Sequence, residues 1–181
     1  ALGSAAPLCP PPAAAPAALD EDEEARALLE EQLSRSSSFL GEEGHKKLCN
    51  SFVAIVGLGA VGSAAAMLLA RAGVARLRLV DGSCISNSAR HALARATDQG
   101  RPKVDVCEEL MCEVLPHVDI ELRREHLTAE QAPGLLGPSE DGRLPDMLLD
   151  CIGGTSGKEL LMRPVDLALV GVDAVPQKGY S

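Results

Sequence analysis

The segment Val53-Ala-Ile-Val-Gly57-Leu-Gly59-Ala-Val-Gly62-Ser63 constrains this chain more than any other. It continues through Ala64-Ala-Ala-Met-Leu-Leu-Ala-Arg-Ala-Gly73 and closes with Leu77-Arg-Leu-Val-Asp81. A short β-branched run bounded by glycine suits a strand covered on both faces, and the long apolar run after Gly62 suits a helix lying on a sheet. The unit is therefore read as strand, turn, helix, strand. Gly57 permits the tight turn, Gly59 lets the backbone approach a phosphate, and Gly62 lets helix and strand pack closely. Free N–H groups at the start of the helix, aided by the helix dipole, face an anion. Asp81 ends the second strand, where a carboxylate can accept hydrogen bonds from ribose hydroxyls. The expected ligand is an adenine nucleotide, and the glycines alone do not say which one.

Further elements follow in order. The acidic run Asp20–Glu24 opens a helix through Leu33, the polar segment Ser34–Gly41 interrupts it, and Glu42–Asn50 forms a second short helix. A loop spans Gly82–His91. Pro102 suits a first helical turn, and Val104, Cys107, Leu110, Met111, Val114 and Leu115 recur at helical spacing. Val118–Leu122 reads as a third strand, Thr128–Leu136 as a short helix, Gly137–Pro145 as a surface loop and Met147–Ile152 as a fourth strand. Alternating strands and helices imply a doubly wound α/β fold with a mostly parallel, Rossmann-like sheet behind N-terminal helices. Ligands of such sheets lie at the carboxyl ends of the strands, so Gly57, Asp81, Asn87 and Asp150 are expected to converge on one crevice.

Composition narrows the partners. A net charge of -9 argues against a surface that grips nucleic acid non-specifically, and one Tyr, two Phe and no Trp leave no stacking platform for single strands. Any RNA substrate must be held locally or by residues outside this chain. Six cysteines never form a C-x-x-C pair, which speaks against a zinc site and for reduced thiols in an intracellular compartment. Cys107 and Cys112 are expected to be small buried apolar residues. No apolar run is suited to spanning a membrane. Residues 1–19, rich in Ala and Pro, are expected to be disordered, 20–50 to hold the N-terminal helices, 51–162 the nucleotide-binding domain, and 163–181 an unassigned tail with room for one more strand.

The residues after Asp81 distinguish two readings of the glycine motif. A nicotinamide dehydrogenase does not require Asn87-x-x-Arg90 followed by Lys103, whereas an adenylating enzyme needs cations on the triphosphate and acids for magnesium. With Ser86-Asn87-Ser-Ala-Arg90-His91 and Gly100-Arg-Pro-Lys103-Val in these places, the chain resembles the ubiquitin-activating-type, or ThiF-type, ATP-binding family. Within that family it is most similar to the tRNA threonylcarbamoyladenosine dehydratases, over about Glu30 to Met162. Glu31-Gln-Leu-Ser-Arg35 and Phe39-Leu-Gly-Glu-Glu-Gly44 are similar to the start of the eukaryotic members.

The resemblance implies ATP and Mg²⁺ as cofactors, tRNA as substrate, a homodimer, and an intracellular location, cytoplasmic or mitochondrial. It places Gly57, Gly59 and Gly62 at the phosphate turn and Asp81 on the ribose. It puts Asn87, Arg90 and Lys103 on the phosphates, with Arg90 and Lys103 catalytic. Arg35 matches an arginine that some members supply to the partner's ATP, and Asp150 matches the acid ending the fourth strand, a magnesium ligand. Asn87 also suits a turn, and His91 a packed loop residue. The sequence departs from the family pattern at Gly153, where a second magnesium-holding acid is usual, and at Ala89, where asparagine is usual. The alternatives are an adenylyltransferase for a ubiquitin-like or sulfur-carrier protein, an NAD-dependent oxidoreductase, and a non-catalytic nucleotide-binding fragment.

Overall fold

The computed structural model describes residues 21–152 and 168–171. The expectations for residues 1–19, for Gly153 and for most of the tail lie outside these. Helix α1 (Glu21–Cys49) leads into strand β1 (Phe52–Val56), helix α2 (Ala60–Ala72) and strand β2 (Arg76–Val80). Helix α3 (Lys103–Val114), strand β3 (Asp119–Arg123), helix α4 (Ala132–Leu136) and strand β4 (Met147–Asp150) follow, and the tail contributes β5 (Ala168–Gly171).

The five strands form one parallel sheet in the order β3-β2-β1-β4-β5. Its faces differ as the alternation of side chains along strands requires. Val53, Ile55, Leu77, Leu79 and Leu149 meet Ala66 and Ala70 of α2 and Val104, Cys107 and Met111 of α3. Ala54, Val56, Val80 and Leu148 meet Ala132, Leu135 and Leu136 of α4 on the other face. The chain winds outward from β1 to β3, then returns to place β4 on the other side of β1. The order therefore reverses between β1 and β4, the point at which such sheets open a ligand crevice.

The α4 face also carries charged residues, Arg78, Glu121 and Asp150 among them. Arg78 of β2 is fully buried, and its guanidinium donates to the carbonyls of Leu135 (3.1 Å) and Gly137 (2.6 Å) and to Ser139 Oγ (2.7 Å). Glu121 Oε2 lies 3.0 Å away as the counter-charge and also accepts from Ser139 Oγ. The guanidinium sits 5.1 Å from the Phe52 ring centre. This network ties α4 and its exit loop to the sheet.

The N-terminal region differs from expectation. Ser34–Leu40 does not interrupt the first helix, which runs on to Gly41; there a non-helical backbone (φ 72°, ψ 168°) kinks the chain, and the second helix follows as expected. Ser34 Oγ donates to the Glu31 carbonyl and Ser38 Oγ to that of Ser34, so the hydroxyls bond within the helix instead of competing with it. Thr128–Gln131 forms a turn before α4, because Thr128 Oγ1 accepts the Gln131 N–H. Cys107 is buried as expected, but Cys112 is exposed.

Candidate nucleotide site

Two adjoining cavities lie at the carboxyl ends of the strands. The first, about 270 Å³, is lined by residues that include Gly57, Asp81, His126, Leu127 and Ile152. The second, about 380 Å³, is lined by residues that include Ala60, Asn87, Arg90 and His91. Gly59, Lys103 and Cys151 line both, so the two are halves of one cleft crossing the start of α2.

The glycine turn is sterically determined. Gly57 has φ +90°, and a Cβ there would lie 2.9 Å from the Cys151 carbonyl. A Cβ on Gly62 would lie 1.9 Å from the Gly57 oxygen, an overlap that only backbone displacement could relieve. At Gly59 nothing lies within 4 Å, so its backbone is open to the cleft. The first turn of α2 carries no acidic residue and no side chain caps it, which leaves its N–H groups for an anion.

Asp81 closes the turn from the neighbouring strand. Its Oδ2 accepts the Leu58 N–H (2.7 Å) and lies 3.2 Å from Lys103 Nζ, and its Oδ1 accepts the Ser83 N–H (2.7 Å). Burial pushes this carboxyl's pKa up, but the Ser83 and Leu58 N–H groups and the Lys103 ammonium outweigh it and hold the group below the usual carboxylate range. Lys103 opens α3, and the strand-end acid thereby fixes its ammonium between the two cavities.

Asn87 and Arg90 stand on the loop after β2. Asn87 Oδ1 accepts the Ala89 N–H (3.0 Å), capping a 3-10 turn over Ser88–Arg90. Its amide is thus both a turn stabiliser and a lining group. Arg90 is exposed on the cavity wall, and among the described residues no carboxylate pairs with it. His91 is buried, and its Nδ1 accepts the N–H groups of Leu93 (3.2 Å) and Ala94 (3.0 Å). The packed-loop reading of His91 is thus the one its contacts match.

Asp150 and Arg35 are placed differently. Asp150 is buried beneath the cleft, and its Oδ1 accepts the Ile152 N–H (2.9 Å). Its neighbours Cys151 and Ile152 line the cavities; Asp150 does not. Among the described residues no three His, Cys, Asp or Glu side chains gather as metal ligands. Arg35 is exposed on α1, whose Leu33 and Cys49 pack against Gly73 at the far end of α2. Since α2 is about 20 Å long, Arg35 does not reach the cleft of its own chain.

Several wall residues were not anticipated, among them Ser83, His126 and Leu127. His126 and Leu127 follow β3, so the rule that ligands sit at strand ends could have found them. Cys151 was also missed as a wall residue; burial and the nearby Asp150 push its thiol up to about 11, which leaves it protonated and unreactive.

Along α3, three exposed ion pairs fasten neighbouring segments to the helix. Arg124 Nε lies 2.6 Å from Asp105, Arg101 Nη2 lies 2.5 Å from Glu109, and Arg95 Nη2 lies 3.3 Å from Glu113.

His91 gives this region a pH dependence. Burial and the Lys103 charge lower its pKa against the opposing pull of Asp81 and Asp98, so the folded protein favours the neutral ring that can accept two N–H groups. A folded value below the unfolded one contributes stability that is complete above the ordinary histidine value of 6.5 and is lost as pH falls through the folded value. The urea midpoint should therefore decline between about pH 7 and 5, before the carboxylates titrate. His91→Gln should make that decline shallower, leaving the part due to His117, whose burial shifts it the same way. An undiminished decline in the variant would remove His91 as its source.

The ThiF family profile matches residues 30–163. The chain belongs to the ThiF family. It is 34% identical over 133 residues to tRNA threonylcarbamoyladenosine dehydratase 1 of Saccharomyces cerevisiae, an alignment covering 72% of this chain and 30% of that protein. It is 39% identical over 124 residues to the adenylyltransferase and sulfurtransferase uba4 of Aspergillus niger, covering 67% of this chain and 24% of that one. The chain thus spans less than a third of the length of these relatives. Among solved structures, E. coli tRNA N6-threonylcarbamoyladenosine dehydratase TcdA in complex with ATP superposes with a TM-score of 0.68 at 22% identity. That alignment covers 78% of this chain and 58% of the other, and it establishes the shared fold. Among the described residues no helix is long and apolar enough to cross a membrane.

Proposed function

We propose that this ThiF family chain binds ATP and adenylates a carboxylate, and that the carboxylate is the threonylcarbamoyl group on a tRNA adenosine. The observation that carries the reading is the position of Lys103, a cation on the wall between the two halves of a cleft that has open helix N–H groups on one side and Arg90 on the other. A dinucleotide oxidoreductase would use the glycine turn and Asp81 but give Arg90 and Lys103 no task.

The cleft would place adenosine in the first cavity, with Asp81 on the ribose, and phosphates in the second. The substrate carboxylate attacks the α-phosphorus and pyrophosphate leaves. An internal nucleophile of the modified nucleoside then displaces AMP and closes a ring, with net loss of water from the nucleoside. The protein's part is electrostatic: Gly59 and the first N–H groups of α2, with Asn87, Arg90 and Lys103, offset charge developing on the phosphates. Mg²⁺ is held elsewhere by one or two carboxylates plus phosphate oxygens and water, but Asp150, buried beneath the cleft and outside its lining, does not fit that task as placed here.

A second reading rests on the 39% identity to uba4: the carboxylate would be the C-terminus of a small protein. Pyrophosphate exchange into ATP separates the readings, since tRNA bearing the modified adenosine should stimulate it under the first and a ubiquitin-like protein under the second. Binding of NAD in preference to ATP would reject both. A chain that binds ATP without exchange would fit the non-catalytic reading that Gly153 suggests. Acting on tRNA, the protein would work inside the cell, in the cytoplasm or mitochondria.

Arg35 is assigned to the cleft of a second copy in a homodimer. Arg35→Ala and Lys103→Ala chains, each inactive alone, should regain up to about a quarter of the activity when mixed and reassembled, since one of the two clefts in each mixed dimer is intact. No recovery in demonstrably mixed dimers would confine Arg35 to a structural role.

A further inference from the structure

One buried hydroxyl connects the two sides of the cleft. Ser63, fully buried in the first turns of α2, donates to the Gly59 carbonyl at 2.7 Å, the ordinary bond of a helical serine to the preceding turn. It also accepts the Ala92 N–H at 2.9 Å, and that second bond is not local. Ala92 lies two residues beyond Arg90, so the hydroxyl joins the glycine turn to the loop bearing the cleft's exposed cation.

His91 is buried and Leu93 packs against the core, but few other hydrogen bonds hold that loop. Within residues 86–94, Asn87 caps its own turn, Arg90 and His91 donate to the Asn87 and Ser88 carbonyls, and His91 Nδ1 accepts from Leu93 and Ala94. All of these are internal. Among the described residues, the hydrogen bonds linking this segment to the rest of the molecule are Ala92 to Ser63 and a longer contact, 3.7 Å, between His91 Nε2 and Cys107 Sγ. The sulfur contact is weak, because burial pushes the Cys107 thiol up to about 12 and keeps it neutral.

We propose that Ser63 is a positioning residue: its hydroxyl holds the 86–94 loop against the glycine turn, so that Arg90 and the helix N–H groups face the same phosphates. The inference rests on the ATP reading above. It does not depend on which carboxylate is adenylated.

The test is a mutant cycle read by ATP affinity, together with hydrogen exchange of the loop measured without nucleotide. Ser63→Ala should weaken ATP binding about tenfold, the scale of one buried hydrogen bond, and Arg90→Ala should weaken it at least as much. In the Arg90→Ala background, Ser63→Ala should then add little, since the loop no longer carries the cation. Ala92→Pro deletes the same bond from the other end and leaves α2 untouched; His91, at φ -138° and ψ 125°, already has a backbone that proline tolerates after it. It should reproduce the Ser63→Ala effect, and it keeps the test open if Ser63→Ala does not fold.

Faster exchange over 86–94 in either variant supports the anchor. Unchanged exchange overturns it even where ATP binds. A tenfold loss that persists undiminished in the Arg90→Ala background overturns the route through Arg90. An unmodified protein that binds no ATP, with variants that still release the loop, rejects the proposed function while the anchor stands.

Discussion

Lys103→Ala should lower ATP–pyrophosphate exchange by roughly 10²–10³-fold, the usual cost of deleting one preorganised group that stabilises developing charge. The loss should appear mainly in the maximal rate. Lys103 stands on the wall common to both halves of the cleft, and Asp81 fixes its ammonium at 3.2 Å, so the cation is in place before the phosphates arrive. The same substitution leaves Asp81 two N–H donors, from Leu58 and Ser83, so the glycine turn should persist and the protein should stay folded. Exchange retained at the level of the unmodified protein would reject the electrostatic role of Lys103 and the triphosphate reading with it. Lys103→Arg should keep part of the rate, since the charge is retained with altered geometry.

Arg78→Ala should be the most destabilising of the substitutions considered. Removing one partner of a buried ion pair costs about 3–5 kcal/mol, because the charge left behind is uncompensated. Here the deletion takes the buried counter-charge from Glu121, which keeps only Arg123 and Ser139, and frees the carbonyls of Leu135 and Gly137 at once. Chemical denaturation measures the loss, and a change under about 1 kcal/mol, the scale of a surface pair, would show the network to be dispensable. Arg78→Met should lose less, since it keeps the packing on Phe52.

The two substitutions illustrate what the sequence made legible. The glycine turn, Asp81 and Lys103 could be read because each follows a strand or opens a helix, and the strand-end rule converts that order into proximity. Asn87 and Arg90 came with the same loop. Arg78 could not be read so: as one polar residue in an alternating strand it has the pattern of a solvated face, and only the later fold-back of α4 and its exit loop encloses it. Ser63 escaped for a similar reason, since its second partner lies 29 residues away on an irregular loop.

Cys112 is a different kind of miss. Val104, Cys107 and Met111 make the buried stripe of α3, and Cys112 lies about 140° around the helix from Cys107, so the period was available and the residue type misled. The serines of α1 misled in the same way. Their reputation as helix breakers rests on competition for backbone groups, and here the hydroxyls bond within the helix. Arg35 stands away from the cleft of its own chain, and its placement beside a second chain's ATP belongs to the proposal.

The three ion pairs along α3 bear on how an RNA could approach. Arg95, Arg101 and Arg124 each face a carboxylate of the same helix, so the arginines along it are already neutralised by the protein's own acids. A polyanionic substrate arriving there would displace few condensed counterions, and its association should vary only shallowly with salt. Under the proposed tRNA reading, recognition on this side would then depend on the shape of the modified nucleoside rather than on the charge of the strand that carries it.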